Sequence, residues 1–352
     1  MPLNQFVLYG ANGYTGRLIT SLASSYQLNP ILAGRTESSI RSLADEYHFS
    51  YKVIDLSNEQ QIISALEGIQ LVLHAAGPFK HKARQMIEAC LKTKTHYIDI
   101  TGEIEVFEMA KQYDAAAKAA GIMIMPGAGF DVVPTDCLAL FLKNKLPDAD
   151  QLKLAFASLG GGLSHGTAMT MAEGLGEGGA VRKNGKIIRV PLGQKGMWVD
   201  FQGKKLFVMT IPWGDVSTAF HTTGIPNIET YTGIDPKIYK MLKFQSLFNW
   251  LMRTSLIRSY IKKQINKRPA GPSDEERAKS KGLVWGQVQN PKGEKKSASL
   301  VTPDGYTLTA HSSLIISRKI LNGNFKPGYQ TPASAYGPDL VLEVPGSIRY
   351  DT

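Results

Sequence analysis

Three glycines near the N-terminus constrain the fold of this chain more than any other feature of its sequence. The segment that contains them follows a short apolar stretch, Phe6–Tyr9, and precedes a stretch of helical length. It reads, in order, Gly10, Ala11, Asn12, Gly13, Tyr14, Thr15 and Gly16. The first glycine permits a tight turn, the second lets backbone N–H groups approach a pyrophosphate, and the third allows close packing of the helix. Placed between a strand and a helix, this spacing predicts a dinucleotide-binding βαβ unit.

The first 135 residues alternate strand and helix signals at regular intervals. The predicted strands are Phe6–Tyr9, Pro30–Ala33, Tyr51–Ile54, Gln70–His74, His96–Ile100 and Ile122–Met125. The predicted helices between them are Tyr14–Tyr26, Ser38–Tyr47, Glu59–Leu66, His81–Leu91 and Val106–Ala120. This order predicts an α/β fold of the Rossmann type, a doubly wound parallel sheet with helices on both faces.

Two further strand ends contribute to the predicted cofactor site. Strand two ends in Gly34 and Arg35, at the place where an NAD site usually has Asp or Glu for the ribose 2′-OH. The Arg35 guanidinium suits a 2′-phosphate instead, so the sequence favours NADP(H). Asp55, which ends strand three, is predicted either to contact the adenine edge or, with Ser57, to cap the following helix.

Small and polar residues follow strands four, five and six, at the edge where ligands bind in such sheets. After strand four come the residues predicted to lie against the ribose and nicotinamide, Ala75, Ala76, Gly77, Pro78 and Phe79. Gly102 follows strand five, and Gly129 and Asp131 follow strand six. We expect Gly77, Gly102 and Gly129 to leave room for the nicotinamide and a flat acceptor. Helix capping by Thr101 and Asp131 is the alternative.

After Pro134 the regular alternation ends, which indicates a second domain over residues 136–321. Its strand-like segments are separated by Gly-rich turns and predict a mostly antiparallel α+β domain. They are Gln151–Ser158, Lys186–Val190, Lys205–Thr210 and Ile228–Thr232.

A Gly-rich loop in this second domain carries a candidate proton donor. Ser164, His165 and Thr167 follow three consecutive glycines and precede a helical stretch. Because imidazole exchanges protons near neutral pH, we predict that His165 donates a proton while Asp131, taken as an exposed and ionised carboxylate, orients the substrate. The alternative for the loop is that these residues cap the helix.

The basic charge of the chain lies in its second half. Residues 1–135 carry 11 Lys and Arg against 13 Asp and Glu, and residues 136–352 carry 29 against 17. Residues 236–268 alone carry nine Lys and Arg and no Asp or Glu, interleaved with apolar residues such as Phe248 and Trp250. Such a stretch predicts peripheral contact with an anionic membrane.

The alternative for residues 236–268 is a pair of packed helices broken near Thr254 and Ser255. The basic residues do not share one helical face, which is the pattern expected when lysine stems cover apolar surface. Nucleic acid is not an expected partner, and a homodimer is left open.

The cysteines and the lengths of the apolar runs indicate where in the cell the protein is located. Cys90 and Cys137 make no disulfide framework, so we expect a reducing, cytoplasmic location, with any membrane contact peripheral. The sequence shows neither a basic leader nor an apolar run of membrane-spanning length. No His, Cys or acidic cluster has metal-ligand spacing, so no metal is predicted.

The motifs resemble those of the saccharopine dehydrogenase-like family, and within it the trans-acting enoyl reductases. The matching stretches span Gly10 to Gly337 in family order and are YGANGYTG, LAGR, AAGPF, YIDITGE, PGAGFDVVPTD, GPSDEERAKSKGLVWG, TPDGYTLTA and GYQTPASAYG. The N-terminal motifs are shared by the wider family, whereas GPSDEER and TPASAYG point to the enoyl reductase branch.

The resemblance implies both an architecture and a reaction. The Rossmann domain, residues 1–135, would be followed by the second domain, and residues 322–352 would pack back on the first. The implied reaction is NADPH-dependent reduction of a carbon–carbon double bond in a lipid- or polyketide-like substrate. Saccharopine-type amino-acid or imine chemistry is one alternative, although we find no basic cluster suited to a dicarboxylic conjugate. A non-catalytic NADP-binding scaffold on membranes is another.

Overall fold

The structure is a computed structural model that describes residues 5–174, 176–242, 254–267 and 269–351. The chain divides into two compact units. The first unit comprises Met1–Val133 and Tyr306–Ala335, and the second comprises Pro134–Gly305 and Tyr336–Thr352.

The first unit is built on a parallel sheet that has seven strands within the described residues. The strands are β1 (Gln5–Tyr9), β2 (Asn29–Gly34), β3 (Tyr51–Val53), β4 (Leu71–His74), β5 (His96–Asp99), β6 (Met123–Met125) and β15 (Gly328–Tyr329). Their order across the sheet is β15-β6-β5-β4-β1-β2-β3. The order reverses between β1 and β4, which is the point where doubly wound sheets bind ligands.

Seven of the described helices belong to this unit or begin at its boundary. They are α1 (Tyr14–Ala23), α2 (Glu37–Tyr47), α3 (Glu59–Leu66), α4 (Ala83–Thr93), α5 (Ile104–Lys111), α6 (Asp114–Ala120) and α13 (Gly305–Leu321). Phe6, Val7 and Leu8 are all fully buried, as expected for a strand covered on both faces. The predicted Rossmann fold is confirmed.

The second unit contains a mixed sheet. Its strands are β7 (Gln151–Leu159), β8 (Gly179–Lys183), β9 (Lys186–Val190), β10 (Gly196–Phe201), β11 (Lys204–Thr210), β12 (Asn227–Gly233), β13 (Lys281–Gln289), β14 (Lys295–Pro303) and β16 (Ile348–Asp351). The main order is β10-β11-β12-β7-β13-β14-β16, with β8 pairing β12 and β9. Among the described strands of this second sheet only β7 and β12 pair in parallel, so the predicted mostly antiparallel domain is confirmed.

Seven helices occur in the described part of the chain between Val133 and Tyr336 besides those above. They are α7 (Val133–Lys145), α8 (His165–Glu173), α9 (Asp215–Thr223), α10 (Pro236–Leu242), α11 (Ser255–Ile265), α12 (Asp274–Lys279) and α14 (Pro332–Tyr336). Helix α11 begins at Ser255, where the sequence predicted a break. The predicted membrane-contacting residues Phe248 and Trp250 lie outside the described residues.

The C-terminal residues are shared between the two units at boundaries that differ from the predicted ones. Residues 322–352 were expected to pack on the first domain, but the return to the first unit begins with α13 and ends within α14. Ser312 of α13 donates a hydrogen bond to the carbonyl oxygen of Ala128 at 2.7 Å, which ties this helix to the segment after β6. The last strand, β16, instead pairs with β14 in the second sheet. The backbone pairing of β16 therefore holds the last residues in the second unit.

Among the described residues, no helix combines the length and apolar character needed to cross a bilayer. In the same part of the chain, His, Cys, Asp and Glu side chains do not gather in groups of three or more that would hold a metal ion. Cys90 and Cys137 are both buried as free thiols.

Candidate functional site

Close contacts explain two glycines of the loop between β1 and α1. Gly10 has φ 86°, and a Cβ there would lie 2.8 Å from the Cβ of Ala76. A Cβ on Gly16 would overlap the carbonyl oxygen of Gly10. The first glycine therefore permits the loop after β4 to approach, and the third permits α1 to pack against the loop.

The middle glycine shapes the N-terminus of α1. Gly13 is the N-cap residue, has extended backbone with φ −72° and ψ 165°, and offers no side chain to cap the helix. The nearest atom to a Cβ on Gly13 would be the carbonyl oxygen of Gly10, at 3.2 Å. Both Gly13 and its neighbour Asn12 are exposed. A phosphate group is what commonly satisfies a helix N-terminus of this kind, so the loop fits a pyrophosphate.

The end of β2 presents an exposed guanidinium beside a tightly packed glycine. Gly34 is buried, and a Cβ there would lie 2.8 Å from Cδ1 of Ile40 and 3.2 Å from Oδ1 of Asn12. Arg35 follows directly and is exposed. The structure thus places Arg35 at the carboxyl edge of the sheet, one strand away from the glycine loop.

Asp55 follows β3 and is held by its own turn. Its Oδ1 accepts a hydrogen bond from the backbone N–H of Ser57 at 3.0 Å. This bond, with the charge of Arg35, holds the pKa of Asp55 below its usual range. The cap of α3 is neither of the two residues suggested by the sequence but Asn58, whose side chain accepts from the backbone of Gln61. Asp55 remains a predicted adenine-edge contact.

The loop after β4, residues 75–79, lies between a buried histidine and a lysine. Burial, reinforced by the charge of Lys82, lowers the pKa of His74 to about 3, so its imidazole is neutral. Lys82 Nζ donates to the carbonyl oxygen of Gly77 at 2.9 Å. The lysine ammonium is therefore bound to the backbone of the loop expected to line the nicotinamide.

Glu103 is a residue of this edge that the sequence analysis missed. Its Oε1 accepts from the backbone N–H of Phe79 at 2.8 Å, and its Oε2 accepts from that of Lys80 at 2.9 Å. Both bonds are charge-assisted, and together they join the loop after β5 to the loop after β4. The backbone N–H of Glu103 in turn donates to Oγ1 of Thr101 at 3.1 Å. The signal for this role was the acidic residue that follows Gly102 just after a strand end.

Asp131 packs directly against Gly102. A Cβ on Gly102 would lie only 2.6 Å from Oδ2 of Asp131, and the aspartate is partly buried. Burial, with the negative charge of Glu103, raises the pKa of Asp131 to about 7. The expectation that Asp131 is exposed and fully ionised at neutral pH is therefore wrong. Near pH 7 an appreciable fraction of this carboxyl group carries a proton that it can donate.

Two glycines that were expected to leave open space instead contact side chains. Asp131 fills the position beside Gly102, and a Cβ on Gly129 would lie 2.8 Å from Cγ2 of Thr309. Oγ1 of Thr309 also accepts from the backbone N–H of Phe130 at 2.9 Å. The glycines at these two positions allow Asp131 and α13 to pack closely against the ends of β5 and β6.

A buried carboxyl group fixes the loops that carry Glu103 and Asp131. Asp99, the last residue of β5, is fully buried. Its Oδ1 accepts from the backbone N–H groups of Thr101 and Gly127 at 2.9 and 3.0 Å, and its Oδ2 accepts from the hydroxyl of Tyr97 at 2.7 Å. Burial raises the pKa of Asp99 to about 7 despite these donors. The side chain therefore ties the end of β5 to the segment after β6.

His165 belongs to the second unit, at the start of α8. The side chain of Ser164 accepts from the backbone of Thr167, so the helix-capping alternative holds for Ser164. Nε2 of His165 lies 2.7 Å from Oδ1 of Asn266, and its backbone N–H donates to Ala270 at 2.8 Å. The ring is thus engaged with the residue that follows α11, and proton donation by His165 stays a prediction.

The strand order and the glycine loop at the switch point define the first unit as a dinucleotide-binding Rossmann domain. Residues 6–125 match a protein family described as the saccharopine dehydrogenase NADP binding domain. This part of the chain therefore has the fold and the sequence match of an NADP-binding domain, which supports a nicotinamide dinucleotide, NADP(H), as its cofactor.

Two oxidoreductases are similar in sequence to parts of this chain. The chain is 26% identical over 204 residues to a saccharopine dehydrogenase-like oxidoreductase of Rattus norvegicus, covering 51% of this chain and 48% of that one. It is 32% identical over 138 residues to a trans-acting enoyl reductase of Mycobacterium leprae (strain TN), covering 37% and 33%. The chain thus spans about half or less of the length of these relatives.

One solved structure is similar in fold to nearly the whole of this chain. The apo histidine-tagged saccharopine dehydrogenase (L-Glu forming) from Saccharomyces cerevisiae superposes with a TM-score of 0.67, covering 97% of this chain and 96% of that one. Sequence identity in that comparison is 13%, so it concerns the fold alone.

Proposed function

We propose that this protein is an NADPH-dependent reductase of a conjugated carbon–carbon double bond in a lipid- or polyketide-like substrate. The observation that carries the proposal is the Asp131 carboxyl group, which sits at the carboxyl edge of the NADP-binding domain and is partly protonated near pH 7. The resemblance of part of the chain to a trans-acting enoyl reductase supports this reaction class.

The residues proposed to hold NADPH are those of the glycine loop, the ends of β2 and β3, and the loops after β4 and β5. They are Gly10, Ala11, Asn12, Gly13, Tyr14, Thr15, Gly16, Gly34, Arg35, Asp55, Ala75, Ala76, Gly77, Pro78, Phe79 and Gly102. The N-terminus of α1 would bind the pyrophosphate, and the exposed Arg35 would bind the 2′-phosphate.

The proton is the part of the reaction that the chain itself supplies. Bound NADPH provides a hydride, which an enone or enoyl thioester takes up at the carbon β to its carbonyl group. The substrate enolate that results needs a proton at its α carbon, and we assign this proton to the carboxyl group of Asp131. Asp131 leaves the step ionised and regains its proton from water, while Glu103 holds the loop of Phe79 and Lys80 in place.

Saccharopine-type chemistry is the alternative. The charged groups at the carboxyl edge of the parallel sheet disfavour the substrate that it requires. A dicarboxylic amino-acid conjugate brings several negative charges, whereas Glu103 at this edge is itself a carboxylate, already bound by two backbone N–H groups. Lys82 is close by, but its ammonium donates to the carbonyl oxygen of Gly77. Like charges at a binding edge disfavour such a substrate, so a neutral acyl compound is the better match.

A panel of acceptors tests the proposal. NADPH oxidation is followed with acyl enones of increasing chain length, with imines and with 2-oxo acids, using the native protein, Asp131→Asn and His165→Ala. We expect turnover of enones, with Asp131→Asn the slower variant. Turnover of imines or 2-oxo acids alone would overturn the proposal. Stoichiometric binding of NADPH without turnover of any acceptor would instead identify a non-catalytic scaffold.

A further inference from the structure

Helix α11 of the second unit has two faces of different character. Its inner face packs on α8, where Ile265 lies in a buried cluster with Ala168 and Ala172. Arg258 and Lys262 belong to the same side, since they form ion pairs with Glu177 at 3.5 Å and Glu173 at 3.1 Å. These pairs explain why the basic residues of this region do not share one face, because two of them serve the packing of the helix.

The outer face of α11 is both apolar and basic. Leu256 is 82% exposed and Tyr260 is 65% exposed, and they stand one helical turn apart. Lys263 is exposed a further three residues along, and Lys267 is exposed just beyond the end of the helix. A spacing of four and then three residues places Leu256, Tyr260 and Lys263 on one side of the helix, and Lys267 follows in the turn after it. We name this outer surface, Leu256, Tyr260, Lys263 and Lys267, the α11 face.

Helix α10 repeats this combination. Tyr239 is buried, while Ile238 and Met241 are 51% and 73% exposed and stand three residues apart. Lys237 and Lys240 are exposed beside them. Two helices of this unit thus present large apolar side chains to water beside lysines, a combination that marks interaction surfaces.

We propose that the α11 face is a docking surface for the headgroup region of an anionic lipid bilayer. Leucine and tyrosine side chains insert at the boundary between headgroups and acyl chains, while lysine ammonium groups bind lipid phosphates and carboxylates. The charge of residues 136–352, with 29 Lys and Arg against 17 Asp and Glu, complements such a surface. The surface is independent of the reaction assigned to the first unit.

Other occupants fit the α11 face less well. A two-fold contact with a second copy places the same patch on both sides and so brings lysines towards lysines. Nucleic acid pairs with lysines through its phosphates but offers little to a leucine that is 82% exposed. A bilayer interface satisfies the apolar and the basic residues together.

Flotation of the protein with vesicles tests the proposal, with phosphatidylcholine alone and with phosphatidylcholine mixed with phosphatidylserine. We expect binding to the anionic vesicles at low salt, and weaker binding at high salt because the charges are screened. Lys263→Gln/Lys267→Gln should lower the partition coefficient by about 25-fold, roughly fivefold for each lysine. The matched control, Lys204→Gln/Lys205→Gln, alters two exposed lysines of β11 and should bind like the native protein.

The apolar half of the surface is tested in the same way. Leu256→Ser/Tyr260→Ser should lower partitioning by about tenfold or more, because the apolar area that inserts is lost. The control Trp198→Ser removes an aromatic side chain that is 56% exposed on β10 and should leave binding unchanged. Unaltered NADPH affinity and thermal unfolding show that the variants are folded.

Hydrogen exchange of the native protein gives a readout that needs no variant. Residues 255–267 should become protected when anionic vesicles are added. The proposal is overturned if residues 255–267 gain no protection from exchange. The same holds if the control variants lose vesicle binding equally, or if the native protein does not bind anionic vesicles at low salt. It is also overturned if Leu256→Ser/Tyr260→Ser abolishes a dimer, or if an oligonucleotide protects the same residues while vesicles do not.

Discussion

Asp55 and Asp131 each follow a strand of the same parallel sheet, yet their carboxyl groups differ in protonation. Asp55 accepts from the backbone of Ser57, which together with Arg35 holds its pKa below the usual range. Asp131 packs against Gly102, and burial with the charge of Glu103 raises its pKa to about 7. The difference arises from what surrounds each side chain, since both are aspartates that follow a strand of the same sheet.

This difference separates two parts of the carboxyl edge of the sheet, one suited to nucleotide binding and the other to proton transfer. The ends of β2 and β3 present charged groups suited to binding the adenosine part of a nucleotide, with Arg35 exposed. The ends of β5 and β6 hold carboxyl groups in surroundings that favour their neutral form, with Asp99 buried and Asp131 partly buried. Pairs of titratable groups whose surroundings push their pKa values apart are the usual basis for assigning acid and base roles.

The largest expected effect comes from removing the proton of Asp131. Asp131→Asn should lower kcat for enone reduction by about 10²–10⁴-fold, because the substrate enolate then lacks a positioned acid. Steady-state kinetics measure the rate, and calorimetric titration should show NADPH binding retained. At saturating NADPH the matched variant Asp55→Asn should leave kcat unchanged, because Asp55 is assigned to cofactor binding and not to proton transfer. Equal kcat values for the two variants would remove the proposed distinction between the two aspartates.

The sequence predicted the parts of the first unit that local patterns encode. The six strands of the first 135 residues were placed within about a residue of their observed ends, because runs of buried apolar residues mark them directly. The glycine loop and Arg35 were identified by their spacing from strands. Each of these features depends on residues that are neighbours in the chain.

Features that depend on tertiary contacts were missed. Glu103 joins two loops separated by more than 20 residues of chain. The protonation of Asp131 depends on its packing against Gly102, which no local pattern shows. In the second unit, β8, β10 and β16 were not predicted, because glycines flank β8 and most residues of β10 and β16 are not buried.

The second largest expected effect is on NADPH binding at the end of β2, where Arg35 would contact the 2′-phosphate of the adenosine part. Arg35→Ala should weaken NADPH binding by about 1.5–3 kcal/mol, the value of a charge-assisted hydrogen bond, and should leave NADH binding nearly unchanged. Calorimetric titration of both cofactors measures this. If the native protein binds NADH as tightly as NADPH, Arg35 has no role at a 2′-phosphate.

The smallest of the three effects is a shift in pH dependence. If Asp131 acts as an acid, the rate of enone reduction falls as pH rises through about 7, since ionisation removes the donated proton. Glu103→Gln removes a negative charge that raises the pKa of Asp131, so the fall should begin at lower pH. The pH profile of kcat for the native protein and the variant measures this shift. A fall at the same pH in both proteins would show that Glu103 does not influence the acid.

Asp131 differs from Asp55 above all in that its carboxyl group holds a proton near neutral pH. Carbon NMR of the protein with labelled aspartate carboxyl groups tests it directly, with Asp131→Asn, Asp55→Asn and Asp99→Asn used to assign the resonances. We predict that the resonance lost in Asp131→Asn titrates near pH 7, and that the one lost in Asp55→Asn titrates below the usual value of about 3.9. An Asp131 resonance that titrates at or below about pH 4 would contradict the account, because that carboxyl group would then hold no proton to donate at neutral pH.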